Sequence, residues 1–211
     1  MSLILNIDTT FDKASVCLSN GGNVLQCSYS DEQKEHASWM HAEIAVQLDK
    51  YGYNIKDLAA VAVNAGPGSY TGLRVGMAAA KGYCYSLNIP LITINSLKIC
   101  AFAVKDESID FICSLIDARR MEVYAAVYDS SLQEKIAPHS LIIAENSFAS
   151  ILTSGKILFC GNGINKLMSM ISNDNAYFSY TKADATHLAQ MSMEYYKNKK
   201  FANLAYIEPL Y

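Results

Sequence analysis

Three groups of residues have types and spacing that could do chemistry. The first is Gly66-Pro67-Gly68-Ser69-Tyr70-Thr71-Gly72-Leu73-Arg74, which follows an apolar run and opens a helical pattern. A loop so placed offers free N–H groups and the positive end of a helix dipole, a seat for a phosphate or carboxylate. Arg74 would add a fork of donors. The same residues also suit a sharp turn, with Gly68 supplying a positive φ and Ser69 or Thr71 capping the helix. No Lys follows the glycines as a Walker A loop requires. A dinucleotide fingerprint fails as well, because Thr71 fills the third glycine position and no acid follows about 20 residues on.

The second group is Asp8-Thr9-Thr10 and Asp117-Ala118-Arg119-Arg120. Asp8 and Asp117 each end a short apolar run. In a two-lobed kinase or ATPase, carboxylates at such strand ends face a cleft and hold Mg²⁺ or act as a base. Thr9 and Thr10 could then touch phosphates. No Asp-x-Gly-Gly follows the second run, however, and Arg119 could close the site by pairing with Asp8 or Asp117. The third group is the four histidines. His36 and His41 lie about 140° apart on a helix and cannot share a ligand face. His139 and His187 stand alone in sequence, so no metal is expected.

The composition narrows the classes. The 211 residues are 51% hydrophobic and 18% charged with a net charge of −3, which excludes a disordered chain. A pI near 5.8 argues against a domain that grips nucleic acid unaided. From Leu58 to Lys105 there is no Asp or Glu, although Arg74, Lys81, Lys98 and Lys105 are present. This stretch supplies no carboxylate, but it suits an acidic partner. No apolar run is long enough to span a membrane, and the start lacks a signal peptide's basic region. Six cysteines without a C-x-x-C pair read as buried free thiols, which places the protein in the cytoplasm.

The elements that would position these residues form two similar sets. Leu3–Asp8, Ala14–Ser19 and Val24–Tyr29 read as strands, with Asn20-Gly21-Gly22 as a hairpin turn. A helix is expected over His36–Tyr51, a strand over Leu58–Val63, a helix over Thr71–Leu87, a strand at Leu91–Ile94 and a helix at Ser96–Val104. Strands follow at Ile112–Ile116, Met121–Tyr128 and about Ser140–Ile143, then a helix at about Glu145–Leu152. A strand at Ile157–Cys160 leads through Gly161-Asn162-Gly163 into an expected helix ending near Ile171. A last helix runs from about Asp184 to Lys197. Asp8 to Asn20 spans 12 residues, as does Asp117 to Asp129. The pattern predicts an α/β fold of two ribonuclease-H-like lobes, residues 1–105 and 106–211, with mixed sheets and helices on their faces.

Several of these stretches together resemble one family. They are Ile4-Leu5-Asn6-Ile7-Asp8-Thr9-Thr10, His36 opening a helix, Gly66 through Gly76, Ile116-Asp117-Ala118-Arg119 and the closing Glu208-Pro209-Leu210-Tyr211. The chain resembles the TsaB (YeaZ) family across nearly all its length. It departs in having Tyr70 where Phe is usual, and in stopping at Tyr211 where the family usually runs on. The resemblance implies the duplicated actin-like, sugar-kinase-like fold. It implies a non-catalytic role in forming N6-threonylcarbamoyladenosine at position 37 of tRNA. Its partners would be a TsaD-like catalytic paralogue, in a heterodimer, and a TsaE-like ATPase. Alone the chain could pair with itself, and it would meet tRNA only through the complex.

The paralogue carries a His-x-x-x-His helix where this chain has Ser96 and Cys100, a poor metal site. No cofactor is expected on the isolated chain, and weak ATP or ADP binding is expected only in the complex. The nucleotide-proximal candidates are Asp8, Thr9, Thr10, Gly66, Gly68, Ser69, Arg74, Asp117 and Arg119. The expected partner face joins His36, Trp39, Met40, Glu43, Ile44 and Gln47 from one helix to Arg74, Met77, Ala78, Ala79, Lys81, Gly82 and Tyr85 from the next. A free-standing actin-like ATPase or small-molecule kinase is the alternative.

Overall fold

The computed structural model describes residues 2–31 and 36–211. Strands β1 (Leu3–Asp8), β2 (Ala14–Asn20) and β3 (Asn23–Ser30) form a meander. Helix α1 (His36–Lys50), β4 (Leu58–Asn64), α2 (Tyr70–Leu87) and β5 (Leu91–Ile94) follow. The sheet order is β3-β2-β1-β4-β5, antiparallel in the meander and parallel from β1 outward. Because β1 lies at the centre with both faces covered, all six of its residues are buried. Even Asn6 is inside, where its amide donates to Cys17 O and the Ser19 hydroxyl.

After α3 (Ser96–Ala103), the strands β6 (Phe111–Asp117), β7 (Glu122–Asp129) and β8 (Glu134–Ile142) repeat the meander. Helix α4 (Ala149–Leu152), β9 (Ile157–Cys160) and β10 (Ala176–Phe178) then lead to α5 (Ala185–Lys197). The second sheet runs β8-β7-β6-β9-β10, the same order and pairing senses as the first. The duplicated ribonuclease-H-like plan is therefore present in the chain.

The compact units do not divide at residue 105. One comprises Met1–Ser96 with Asp184–Tyr211, and the other Leu97–Ala183. The last helix returns to the first sheet because Ala185 and Ala189 pack on Cys17, on the face opposite α1 and α2. The first unit thus has three layers. Leu5, Ile7, Val16, Val61 and Val63 of the sheet meet Met40, Ile44 and Leu48 of α1 and Met77 and Ala80 of α2. In the second unit Leu115, Val123, Val127 and Phe159 pack with Phe148, Leu152, Ile164 and Leu167.

Three expected elements differ, the first being the strand expected at about Ser140–Ile143, which begins six residues earlier as β8 at Glu134. The helix after Gly163 is only a 3₁₀ turn at Ile164–Lys166 followed by further turns. Gly163 N is tied to Leu115 O, and the turn formers Ser172–Asn175 close the segment within a few residues. The helix expected from Glu145 shrinks to Ala149–Leu152, its start being taken by a turn in which Ala144 N donates to the Ser147 hydroxyl.

Candidate functional site

The ends of β1 and β4 meet the start of α2, and the sequence candidates Asp8, Thr9, Thr10, Gly66, Gly68 and Ser69 gather there. Asp8 is buried. It accepts from Thr10 N at 2.9 Å and from the Asn64 amide at 3.0 Å. Burial raises its pKa above the ordinary carboxylate value, and the Asn64 and Thr10 hydrogen bonds offset this only in part. A carboxyl so enclosed resists carrying the charge that a cation ligand or general base needs.

Asn64 is the hub that sequence reasoning missed. Its side-chain oxygen accepts from Gly66 N at 3.1 Å and from the Ser96 hydroxyl at 2.6 Å, while its amide serves Asp8. Ser96, expected to stand where the paralogue keeps a histidine, is thus a structural hydrogen-bond donor. The only sequence signal for Asn64 is a polar residue closing an apolar strand.

The glycine loop packs straight onto the Thr9-Thr10 segment. A Cβ at Gly68 would collide with Thr10, one at Gly72 with the Thr9 carbonyl, and one at Gly76 with the Thr9 hydroxyl. The Thr9 hydroxyl donates to Gly72 O at 2.6 Å, and Ser69 N donates to Thr10 O at 2.8 Å. Ser69 also caps α2 by accepting from Gly72 N. Three N–H groups that could have seated an anion, those of Gly66, Ser69 and Gly72, are therefore held by the chain itself. Of the two readings of the loop, the contacts are those of a turn and a cap. The positive φ expected at Gly68 is found at Gly66 instead, at +100°, and Gly68 is needed for its close approach to Thr10.

Arg74 turns away from the loop. Its guanidinium lies 4.0 Å from the Tyr70 ring centroid, and its Nε donates to the Tyr211 hydroxyl at 3.0 Å. The last residues run along α2: Leu210 N donates to Ala65 O and the Lys81 ammonium to Ile207 O. This clasp was not foreseen, although Tyr70 and Tyr211 were both noted.

Asp117 and Arg119 belong to the second unit. The Asp117 carboxylate pairs with Lys166 at 2.8 Å and accepts from Arg119 N. Burial pushes its pKa up, but the Lys166 and Arg119 contacts outweigh that and hold it below the ordinary value. The side-chain partner is therefore Lys166, while Arg119 contributes its backbone N–H. Among the described residues no three His, Cys, Asp or Glu side chains cluster as a metal site would need. No described helix is long and apolar enough to cross a membrane.

The expected partner face needs correction. Met40, Ile44 and Met77 are buried in the chain's own core, and Gln47 is buried as well, its amide nitrogen donating to Val16 O and the Ser28 hydroxyl. None of these four is exposed, and of them only Met40 reaches the floor of the groove between the two helices. Trp39 is half buried against the same core, and Glu43 accepts from Gln26 and Gln47. The His36 side chain lies outside the described residues. What remains is an open groove of about 560 Å³ between α1 and α2, lined by Ala37, Met40, Val75, Ala78, Ala79, Gly82 and the His41–Tyr83 pair. His41 Nδ1 and the Tyr83 hydroxyl are 2.6 Å apart. Tyr85 (83% exposed) and Val46 (56%) stand out from the same two helices. The two helix glycines do different work: Gly76 lets α2 approach the sheet, whereas Gly82 opens onto the groove.

A family model described as TsaD, tRNA N6-adenosine threonylcarbamoyltransferase, matches residues 28–207. The chain is 28% identical over 174 residues to the tRNA threonylcarbamoyladenosine biosynthesis protein TsaB of Bacillus subtilis, spanning 81% of this chain and 75% of that protein. To TsaB of Escherichia coli it is 33% identical over 126 residues, 59% of this chain and 54% of that protein. The solved structure of YeaZ from Pseudomonas aeruginosa superposes with a TM-score of 0.84 at 24% identity, covering 100% of both chains. A putative N-acetylmannosamine kinase from Listeria monocytogenes shares the fold more distantly, with a TM-score of 0.51. The duplicated sheet thus has the actin-like, sugar-kinase-like plan, and the chain belongs to the TsaB (YeaZ) family.

Proposed function

We propose that this chain is a non-catalytic subunit in the formation of N6-threonylcarbamoyladenosine at position 37 of tRNA. It pairs through the α1–α2 groove with a TsaD-like catalytic paralogue, and the pair recruits a TsaE-like ATPase. The observation that carries this reading is the groove itself. Its α2 wall is made of small residues, Ala78, Ala79 and Gly82, faced across the groove by Ala37 and His41 of α1. Such a surface admits close approach of another pair of helices, a packing that buries on the order of 1,600 Å² in a stable complex. Without the paralogue, the same face pairs two copies of the chain.

The glycine loop and Asp8 support the non-catalytic part. Asp8 is enclosed and each of its carboxylate oxygens accepts a hydrogen bond from the chain, and the loop is closed onto Thr9 and Thr10. The isolated chain accordingly holds no nucleotide of its own, and weak ATP or ADP binding belongs to the assembly. With a net charge of −3, the chain meets tRNA only alongside its partners. Measuring the modified nucleoside in tRNA from cells depleted of the chain tests the reading. Loss of threonylcarbamoyladenosine, restored by the wild-type chain, is expected. An unchanged level would contradict it, and ATP turnover by the purified chain would favour the free-standing ATPase.

A further inference from the structure

Cys17 in β2 and Cys27 in β3 stand directly opposite each other in the antiparallel register. Both are free, and they pack in one cluster with Ala185 and Ala189. Residues facing across such a pair have Cβ atoms about 4.5–5.5 Å apart, against about 3.5–4.5 Å in a disulfide. Joining them asks only for a local pinch of two strands. Access separates the two thiols: Cys17 is buried under Ala185 and Ala189 of α5, whereas Cys27 is half buried.

The surroundings also separate them chemically. The neighbouring Cys17 thiol holds Cys27 below the usual thiol range, against the opposing effect of burial. The same contact, with burial, pushes Cys17 up. Tyr29 donates to Asp184 at 3.0 Å, at the start of α5. Cys84, Cys113 and Cys160 lack this combination. Burial raises Cys84 to about 11 and Cys160 to about 12, and it also pushes Cys113 up. Cys113 stands opposite Phe159 and Val127 in its sheet, not opposite another cysteine.

We propose that Cys17 and Cys27 are a redox-modifiable dithiol, which a hydroperoxide converts into a cross-strand disulfide. The Cys27 thiolate attacks one oxygen of hydrogen peroxide and the O–O bond breaks. Cys27 becomes a sulfenic acid, and the expelled hydroxide takes up a proton and leaves as water. The Cys17 sulfur then attacks the Cys27 sulfur and the S–O bond breaks. The departing hydroxyl takes the Cys17 proton and leaves as a second water. Two thiols lose two electrons and two protons, and the peroxide accepts both. The pinched geometry leaves the bond strained, so a dithiol reduces it readily. Once formed, it staples the β2–β3 hairpin beneath the first turn of α5.

The reduced full-length protein, treated with hydrogen peroxide and then alkylated in denaturant, tests this by intact mass and peptide mapping. The expected product has lost two hydrogens, keeps four of its six thiols, and links the peptide of Cys17 to that of Cys27. Dithiol reduction restores all six. In C17S the oxidation stops at a Cys27 sulfenic acid trapped by dimedone. Survival of all six thiols in the wild-type protein would overturn the proposal. So would linkage of another pair, or over-oxidation of Cys27 with Cys17 still free. None of these readouts depends on a partner subunit, so the outcome is independent of the proposed pairing.

Discussion

The Thr9 hydroxyl donates to the Gly72 carbonyl at 2.6 Å, and the Gly72 Cα faces the Thr9 carbonyl with no room for a methyl group. The exit of β1 is thus clamped to the first turn of α2. Gly72→Ala would drive a Cβ into backbone that cannot move without dragging a central strand. We expect a loss of about 2–3 kcal/mol, at the upper end for overpacking. Thermal unfolding checks it, and a variant as stable as wild type would show that the clamp is loose. Gly82→Ala makes the control, since nothing lies within 4 Å of the added Cβ.

Asp8 should titrate above the ordinary carboxylate value near 3.9. Its folded-state pKa is raised, so the native state holds the proton more tightly than the unfolded chain. Its contribution to stability is therefore fully present below about pH 3.9 and is lost as pH rises through the folded value. Carbon-detected NMR titration of the Asp8 carboxyl gives the value directly. A midpoint at or below 3.9 would show the carboxyl to be ionised comfortably in place.

Asp184 shows the opposite sign. Burial raises its pKa, but hydrogen bonds from His187, Thr186 and Tyr29 outweigh burial and hold it well below the ordinary carboxylate range. It also caps α5. Asp184→Ala should cost about 1–2 kcal/mol at neutral pH, as lost caps do. The penalty should be present above the unfolded carboxylate pKa and shrink as pH falls toward the depressed folded value. Denaturant midpoints of both proteins at neutral and acid pH decide it, and a penalty that grows in acid would be the wrong sign.

The central strands and long helices were legible because their apolar periods are strong: β5 and β9 fall on the residues expected, and α1 and α2 to within a residue or so. The repeat was legible through the matched spacing of Asp8 and Asp117 from their turns. The edges were not. β8 is exposed along most of its length and contains Pro138, so it lacks the alternation that marks a half-buried strand. The return of α5 to the first sheet depends on Ala185 and Ala189 fitting over Cys17, and nothing local announces such a contact. At the site, residue types pointed to the right place, but Asn64 and the Arg74–Tyr211 clasp are long-range partnerships invisible in a linear pattern. The helix stripes were read as surplus apolar surface. Met40, Ile44 and Met77 proved to be core, leaving the small residues between them as the open face.

The measurement that bears most directly on the central claim is the mass of the complex formed by Ala79→Arg with the TsaD-like paralogue. Ala79 is half buried on the groove, where a new arginine side chain would fill the space that a partner helix needs and lose its water as that helix closed. That costs several kcal/mol, enough to break a complex of ordinary strength. Size-exclusion chromatography with light scattering should show wild type eluting as a heterodimer and the variant as a separate chain, with unchanged circular dichroism. A folded variant that still elutes as a heterodimer at the same concentrations would contradict the assignment of the α1–α2 groove as the pairing surface.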